Sequence, residues 1–233
     1  SVEKMKKACD SLQLTADDHL LEIGTGWGAL AIYAAENYGC RVTTTTISKE
    51  QLNYAQTRVS DSGLEDLVQV IDQDYRQLSG VYDKIVSIEM IEAVGNEYLE
   101  IFFQKCHSLL RSGGKMLLQS ILMNDNDYEE YLDTVDFIRF YIFPGGSLPA
   151  MKRIDAINIE ENLFERIDTY DMTSSYVVTL KYWLNTFRAK ADECGKQGYD
   201  LAFQKLWEYY LEYCKAGFSS KHISVKQLLF ERA

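Results

Sequence analysis

The chain has 233 residues, 46 % apolar and 25 % charged, with a formal net charge of −11. That length suits one large domain over 1–233, and so much apolar side chain excludes a disordered polymer. The acidic balance argues against nucleic acid as a partner, and it leaves only a local patch as a means of docking on anionic membrane.

Residues 3–13 place Met5, Ala8 and Leu12 on one side of a short helix. His19-Leu20-Leu21-Glu22-Ile23 is a short apolar run ending in Gly24 and reads as a buried strand. Trp27 to Tyr38 is Ala-rich with helical spacing, and Arg41 to Ile47, rich in β-branched residues, reads as strand two. Ser48 opens a helix, with Gln51 three residues later in the capping-box pattern. Val68–Ile71 and Tyr82–Ile88 read as strands three and four. Asn96–Leu110 reads as a helix stopped by Ser112-Gly113-Gly114, and Lys115–Leu122 as strand five. Strands separated by helices imply a parallel sheet with right-handed crossovers.

The alternation breaks at Met123. Residues 123–149 hold both prolines and a cluster of rings, and the segment is too long for an ordinary connection. It is expected to be a functional insertion, a lid over about 123–152. A helix over 153–164, a strand over 165–173, aromatic helices over 176–192 and 199–215 and a last strand over 222–231 complete the pattern. The five cysteines form no CxxC pair and no zinc or disulfide spacing. A reduced, cytoplasmic chain without a metal site is therefore expected. No apolar run reaches the roughly 18 residues of a membrane helix. His19, His107 and His222 lie away from every motif and are expected to be structural or exposed.

Leu21-Glu22-Ile23-Gly24-Thr25-Gly26-Trp27-Gly28 carries the strongest signal. Here a strand runs into a glycine turn that opens a helix. Glycines let backbone approach a ligand, and helix-start amides bond to it. A dinucleotide fingerprint wants its third glycine one residue later. The E/D-x-G-x-G-x-G form resembles motif I of class I methyltransferases, which bind S-adenosylmethionine. The fold class is accordingly α/β: a Rossmann-like, mostly parallel seven-stranded sheet with helices on both faces and an aromatic helical insertion after strand five. Glu22, Gly24, Gly26, Trp27 and Gly28 are candidate cofactor residues. So are Asp74 and Tyr75 after strand three, where such enzymes commonly contact adenine. After strand two an acid usually serves the ribose. Here Thr46, Ile47 and Gln51 occupy that region, so hydroxyl and amide groups would do that work.

The stretches LEIGTGWGALAIYAA, TISKEQLNYAQ, DQDYRQL, YDKIVSIEMIEAVGNEYLEIFF, KMLLQSI, VDFIRFYIFPGGSLP, YVVTLKYWLNTF and LWEYYLEYCKAGF resemble, in order and over nearly the whole chain, the cyclopropane-fatty-acyl-phospholipid synthase family, which includes the mycolic acid cyclopropane synthases. IFPGG-x-LP is the most discriminating segment, and IEMIEAVG with LLQSI is closest to the plant-type branch. The resemblance implies methyl transfer to a cis double bond of a phospholipid acyl chain. It also implies a carbocation that loses a proton to a bound bicarbonate. Carried over, Glu92 is the Glu after strand four, Tyr176 the Tyr near the late helix, and Ile121 the residue whose amide helps hold the anion. Gln119 stands where most of the family has a His, as it does in the plant-type branch. The family's Cys segment is expected upstream of Ser1, and Cys9 does not match it.

The residues themselves agree in part. Glu92 and Gln119 fall near strand ends where α/β sheets bind ligands, and Gln119 is a polar residue in an apolar strand that needs partners. Glu89 is a rival carboxylate. The rings Tyr128, Tyr131, Phe137, Phe140, Tyr141 and Phe143 would suit an acyl pocket or a nearby cation. Arg139 could meet a lipid phosphate. The expected partner is an unsaturated phospholipid or fatty acyl substrate, with peripheral membrane contact and a homodimer left open. Two rival readings stand beside this one: N-methylation of a small amine, as in plant alkaloid methyltransferases, and a binding domain without catalysis. A fatty-acyl C-methyltransferase leaving a methyl or methylene branch is a third outcome, differing only in the fate of the carbocation.

Overall fold

The computed structural model describes residues 2–232. The strands are β1 (His19–Ile23), β2 (Arg41–Thr46), β3 (Val68–Asp72), β4 (Tyr82–Ile88), β5 (Leu110–Met123), β6 (Glu165–Asp171) and β7 (Ile223–Glu231). They form one sheet in the order β3-β2-β1-β4-β5-β7-β6. The first five strands run parallel, and β7 enters antiparallel between β5 and β6. The helices are α1 (Val2–Leu12), α2 (Ala29–Tyr38), α3 (Lys49–Asp61), α4 (Leu99–Leu109), α5 (Tyr128–Asp133), α6 (Met151–Glu160), α7 (Thr173–Ala189), α8 (Ala191–Lys196) and α9 (Leu201–Ser219).

The sheet is covered on both faces, which explains why β1 is an unbroken apolar run rather than an alternating one. Successive side chains still point to opposite faces. Leu21 joins Phe102, Phe103 and Phe230 on the α4 side, while Leu20 joins Leu30, Ala31 and Val42 on the α2 side. Phe102 and Phe103 are fully buried, each stabilising the core by roughly 2–3 kcal/mol relative to exposure.

Several boundaries differ from the sequence expectation. Leu110 already pairs with Tyr82, so Ser112-Gly113-Gly114 lies past the helix in an irregular start to β5. The late helix expected over 176–192 begins at Thr173, breaks at Lys190 and resumes as α8. The insertion is not structureless. It holds α5 and one wide turn over Ile138–Ile142, and it is closed by Met123 N donating to Pro149 O at 2.9 Å. No described helix is long and apolar enough to cross a membrane.

Candidate active site

The glycine turn leaves the C-terminal end of β1, an interior strand between β2 and β4. Glu22 is buried and accepts from Thr44 Oγ1 at 2.6 Å, with Thr25 Oγ1 2.7 Å from the same hydroxyl. Burial pushes the Glu22 carboxyl up to about 8, against the opposing pull of the Thr44 bond. Gly24 and Gly26 adopt φ of 101° and 52°. A Cβ on Gly24 would come within 3.1 Å of Met90, whereas one on Gly26 would meet open space. The Gly24 and Thr25 amides donate to Thr45 O, but no carbonyl of the described residues accepts from the Gly26 or Trp27 amide. Those two amides are available to a ligand at the entrance to α2.

The other cofactor candidates lie around this turn. Trp27 is exposed and meets Tyr54 edge-on at 5.3 Å, and Ile47 is also exposed. Thr46 Oγ1 donates to Gln51 Oε1 at 3.0 Å, and Ser48 Oγ accepts from Gln51 N. The cap thus forms through the Gln51 backbone, while the Gln51 side chain returns to Thr46. Thr45 Oγ1 donates to Gln73 O, tying β2 to the segment that carries Asp74. Asp74 caps the turn Tyr75–Gln77 and binds Arg76 Nη2 at 2.6 Å. The Arg76 hydrogen bonds hold the Asp74 carboxyl below its ordinary range. Tyr75 is half-buried, edge-on to Phe102.

A second cluster forms where β4 and β5 end. Glu89 follows β4 with φ of 52°, a left-handed conformation that costs a residue with a Cβ about 1–2 kcal/mol. Its amide donates to Gln119 O at 2.8 Å. Its Oε1 accepts from Gln119 Nε2 at 2.6 Å and from the Tyr176 hydroxyl, with Lys4 Nζ at 3.8 Å. Gln119 is fully buried and sits opposite Gln227 of β7, whose Nε2 donates to Gln119 Oε1 at 3.0 Å. Both ends of the Gln119 amide are therefore satisfied, and its Nε2 also reaches the Tyr176 oxygen at 3.0 Å. Burial, then Glu89, raises the Tyr176 hydroxyl above its ordinary range.

Glu92 sits in the short turn Ile91–Ala93. Its Oε1 accepts from Ile121 N at 2.7 Å and Ser120 Oγ at 3.0 Å, whereas its Oε2 is buried without a partner. Burial raises this carboxyl to about 7 despite those bonds. Glu92, Gln119, Ile121 and Tyr176 thus lie together, but as two pairs: Glu92 with the Ile121 amide, and Gln119 with Tyr176 through Glu89.

Glu89, Glu92 and Ile121 line one end of a cavity of about 1160 Å³, walled by Ile142 and Phe143 of the insertion and Phe218 of α9. The insertion is anchored to the site by Ser147 N donating to Glu92 O at 2.8 Å, and to α9 by Phe137 against Tyr209 at 4.7 Å. Arg139 does not stand free for a phosphate. It donates to Tyr131 O at 2.8 Å and to Thr134 O within the insertion. Tyr128 and Tyr131 are buried, while Phe140 and Tyr141 are exposed on the outer face. Sequence reasoning missed Ser120, although it lies in the KMLLQSI stretch, and Gln227 and Lys4, which no motif marks. His222, expected to be structural or exposed, is exposed, and it also lines this cavity, 3.1 Å from Asp127.

The family profile described as mycolic acid cyclopropane synthetase matches residues 1–228. The tuberculostearic acid methyltransferase UfaA1 of Mycobacterium tuberculosis is 36 % identical over 96 % of this chain and 52 % of its own length. The cyclopropane-fatty-acyl-phospholipid synthase of Escherichia coli is 35 % identical over 98 % of this chain and 57 % of its own. The chain therefore spans about half the length of these curated relatives. Among solved structures, mycolic acid cyclopropane synthase CmaA1 complexed with SAH and CTAB superposes with a TM-score of 0.89 at 29 % identity, over 99 % of this chain and 84 % of that one. With its seven-stranded sheet matching those of S-adenosylmethionine-dependent methyltransferases, the chain belongs to the mycolic acid cyclopropane synthetase family.

Proposed function

We propose that this chain carries methyl transfer from S-adenosylmethionine to the cis double bond of an unsaturated phospholipid acyl chain, leaving a cyclopropane ring. The observation that carries the reading is the apolar cavity whose inner end holds Glu89 and Glu92, joined to the glycine turn through Met90 packed against Gly24. An apolar cavity ending in a few polar groups suits an acyl chain.

The residues present fit the cofactor. The free amides of Gly26 and Trp27 and the open space over Gly26 form a cradle. Glu22, Gly28, the Thr46–Gln51 pair, Ile47, Asp74 and Tyr75 are assigned to hold its remaining parts. S-adenosylmethionine supplies an electrophilic methyl. The protein must then tolerate a cation on the acyl chain and remove a proton from the added methyl. Glu92, when ionised, offsets that cation electrostatically, and the Tyr176 ring adds a face.

The bicarbonate implied by the resemblance does not fit these residues as they stand. Its expected holders, the Ile121 amide, Gln119 and Tyr176, already donate to the carboxylates of Glu92 and Glu89. No step is therefore assigned to that ion.

The substrate class is supported by relatives named for lipid methylation and cyclopropanation. The exposed Phe140 and Tyr141 of the insertion suit contact with a bilayer surface. A second reading, a methyl or methylene branch in place of the ring, is favoured by relatives named fatty acid methyltransferases. The likeness to coclaurine N-methyltransferase, 22 % identical at a TM-score of 0.78, concerns the fold alone. Labelled S-adenosylmethionine with vesicles of cis-unsaturated phospholipid, followed by mass spectrometry, tests the proposal. Gain of one CH2 without hydrogenation and resistance to ozonolysis give the ring, whereas an ozonolysable product gives a methylene branch. Absence of label in lipid overturns both.

A further inference from the structure

Resting on the lipid-methylation reading above, we propose that Glu89 is the resident base of this site: its carboxylate fills the place a free anion would take and receives the proton itself. The argument is an inventory of donors. A bound anion needs hydrogen-bond donors or cations around it. Near the cavity's inner end these are Gln119 Nε2, the Tyr176 hydroxyl, Lys4 Nζ, Ser120 Oγ and the Ile121 amide. The first three converge on Glu89 Oε1, and the last two on Glu92 Oε1. A further anion would enter between two carboxylates that already hold these five donors, and like charges at that range repel.

The backbone tells the same story. Glu89 reaches its position only through a left-handed turn, which residues with a Cβ rarely adopt. The conformation is held from four segments: Gln119 of β5 by main chain and side chain, Tyr176 of α7, Lys4 of α1, and Gln227 of β7 behind Gln119. Strain of this kind persists where surrounding structure over-determines it, and it concentrates at functional sites. Glu89 Oε1 takes the side-chain contacts of Gln119, Tyr176 and Lys4. Its Oε2 takes no hydrogen bond from the described residues, and the residue lines the cavity.

The step balances without an outside reactant. A C–H bond of the transferred methyl breaks, and its electron pair forms the bond to the cationic carbon. The proton passes to Glu89 Oε2 and later to water. Gln119 cannot take that proton, because an amide has no basic nitrogen.

The full chain is tested in two arms. In the first, [13C]bicarbonate is titrated and followed by 13C NMR. The native protein should leave the line unbroadened, while Glu89→Gly should open the place and bind the ion. In the second, lipid methylation is measured in carbon-dioxide-depleted buffer and again with bicarbonate added. The native rate should be the same in both. Glu89→Gln, close in shape and checked for fold by circular dichroism, should lose about 10²-fold or more. Glu89→Gly should be nearly inactive until bicarbonate is added. Bicarbonate binding to the native protein, stimulation of its rate, or an undiminished Glu89→Gln would each overturn the proposal. Should the native chain bind S-adenosylmethionine but label no lipid, the lipid reading falls, and the NMR arm still decides whether Glu89 fills the anion's place.

Discussion

Glu22 and Glu92 are both carboxyls raised by burial, one to about 8 and the other to about 7, but they belong to regions built differently. Glu22 accepts its bond from Thr44 on the neighbouring strand, and the chain Glu22–Thr44–Thr25 is complete within β1, β2 and their turn. Glu92 receives bonds from β5, keeps one oxygen without a partner, and carries the insertion on its own carbonyl. The cofactor end is closed by near neighbours. The end proposed for the acyl chain is assembled from α1, β5, α7, β7 and the insertion, and Glu92 Oε2 is left there without a partner.

The largest effect should come from breaking the acyl end alone. Glu92→Ala should lower kcat for lipid methylation by about 10²- to 10⁴-fold, with affinity for S-adenosylhomocysteine unchanged by calorimetry. Loss of cofactor affinity in the same variant would mean that the two regions are not separable.

The cofactor end can be broken through its charge. A carboxyl whose folded pKa is raised contributes stability that is whole below its unfolded value of about 4.5 and is lost as pH rises through about 8. Thermal melts of the native protein should therefore fall in midpoint from pH 5 to pH 8.5. Glu22→Gln should flatten that fall by the equivalent of a few kcal/mol, and an unchanged slope would refute the assignment.

Gly24→Ala links the two regions. The positive φ and the 3.1 Å approach to Met90 should cost about 1–3 kcal/mol in urea denaturation. Displacement of Met90 should weaken cofactor binding and slow turnover together. An effect on cofactor binding alone would show that Met90 does not couple the two ends.

The smallest effect lies outside both. Phe140→Ser, on the exposed face of the insertion, should leave stability within about 0.5 kcal/mol and reduce co-sedimentation with phospholipid vesicles. Unchanged sedimentation would remove that face as a membrane contact.

How much of this could be read from residue order follows the same division. β1, the glycine turn, β2 and the Ser48 cap rest on local periodicity and capping, and the chain shows them directly. β7 was also legible as a strand, though not its place between β5 and β6. The Glu89–Tyr176 contact joins residues 87 apart and depends on a left-handed turn that nothing in Ser87-Ile88-Glu89-Met90 announces. Glu92, Gln119 and Tyr176 could be picked out one by one, but not the fact that two carboxylates divide the donors among them. His222 carried no motif, because its nearness to Asp127 depends on how the insertion folds back.

The antiparallel entry of β7 also sets an order in time. Nine consecutive positions of β5, from Lys115 to Met123, pair with β7, and Gln119 meets Gln227 only there. During synthesis β5 is complete about a hundred residues before its partner begins, a wait of roughly 5–20 s at about 5–20 residues per second. Through that interval β5 is an open edge with unpaired amides and carbonyls. The nascent chain can close its glycine turn early, but the cavity lined by Glu89 and Glu92 is among the last parts to form. A ribosome stalled short of residue 223 would release a chain competent for the first task, unfit for the second, and exposed to edge-to-edge association.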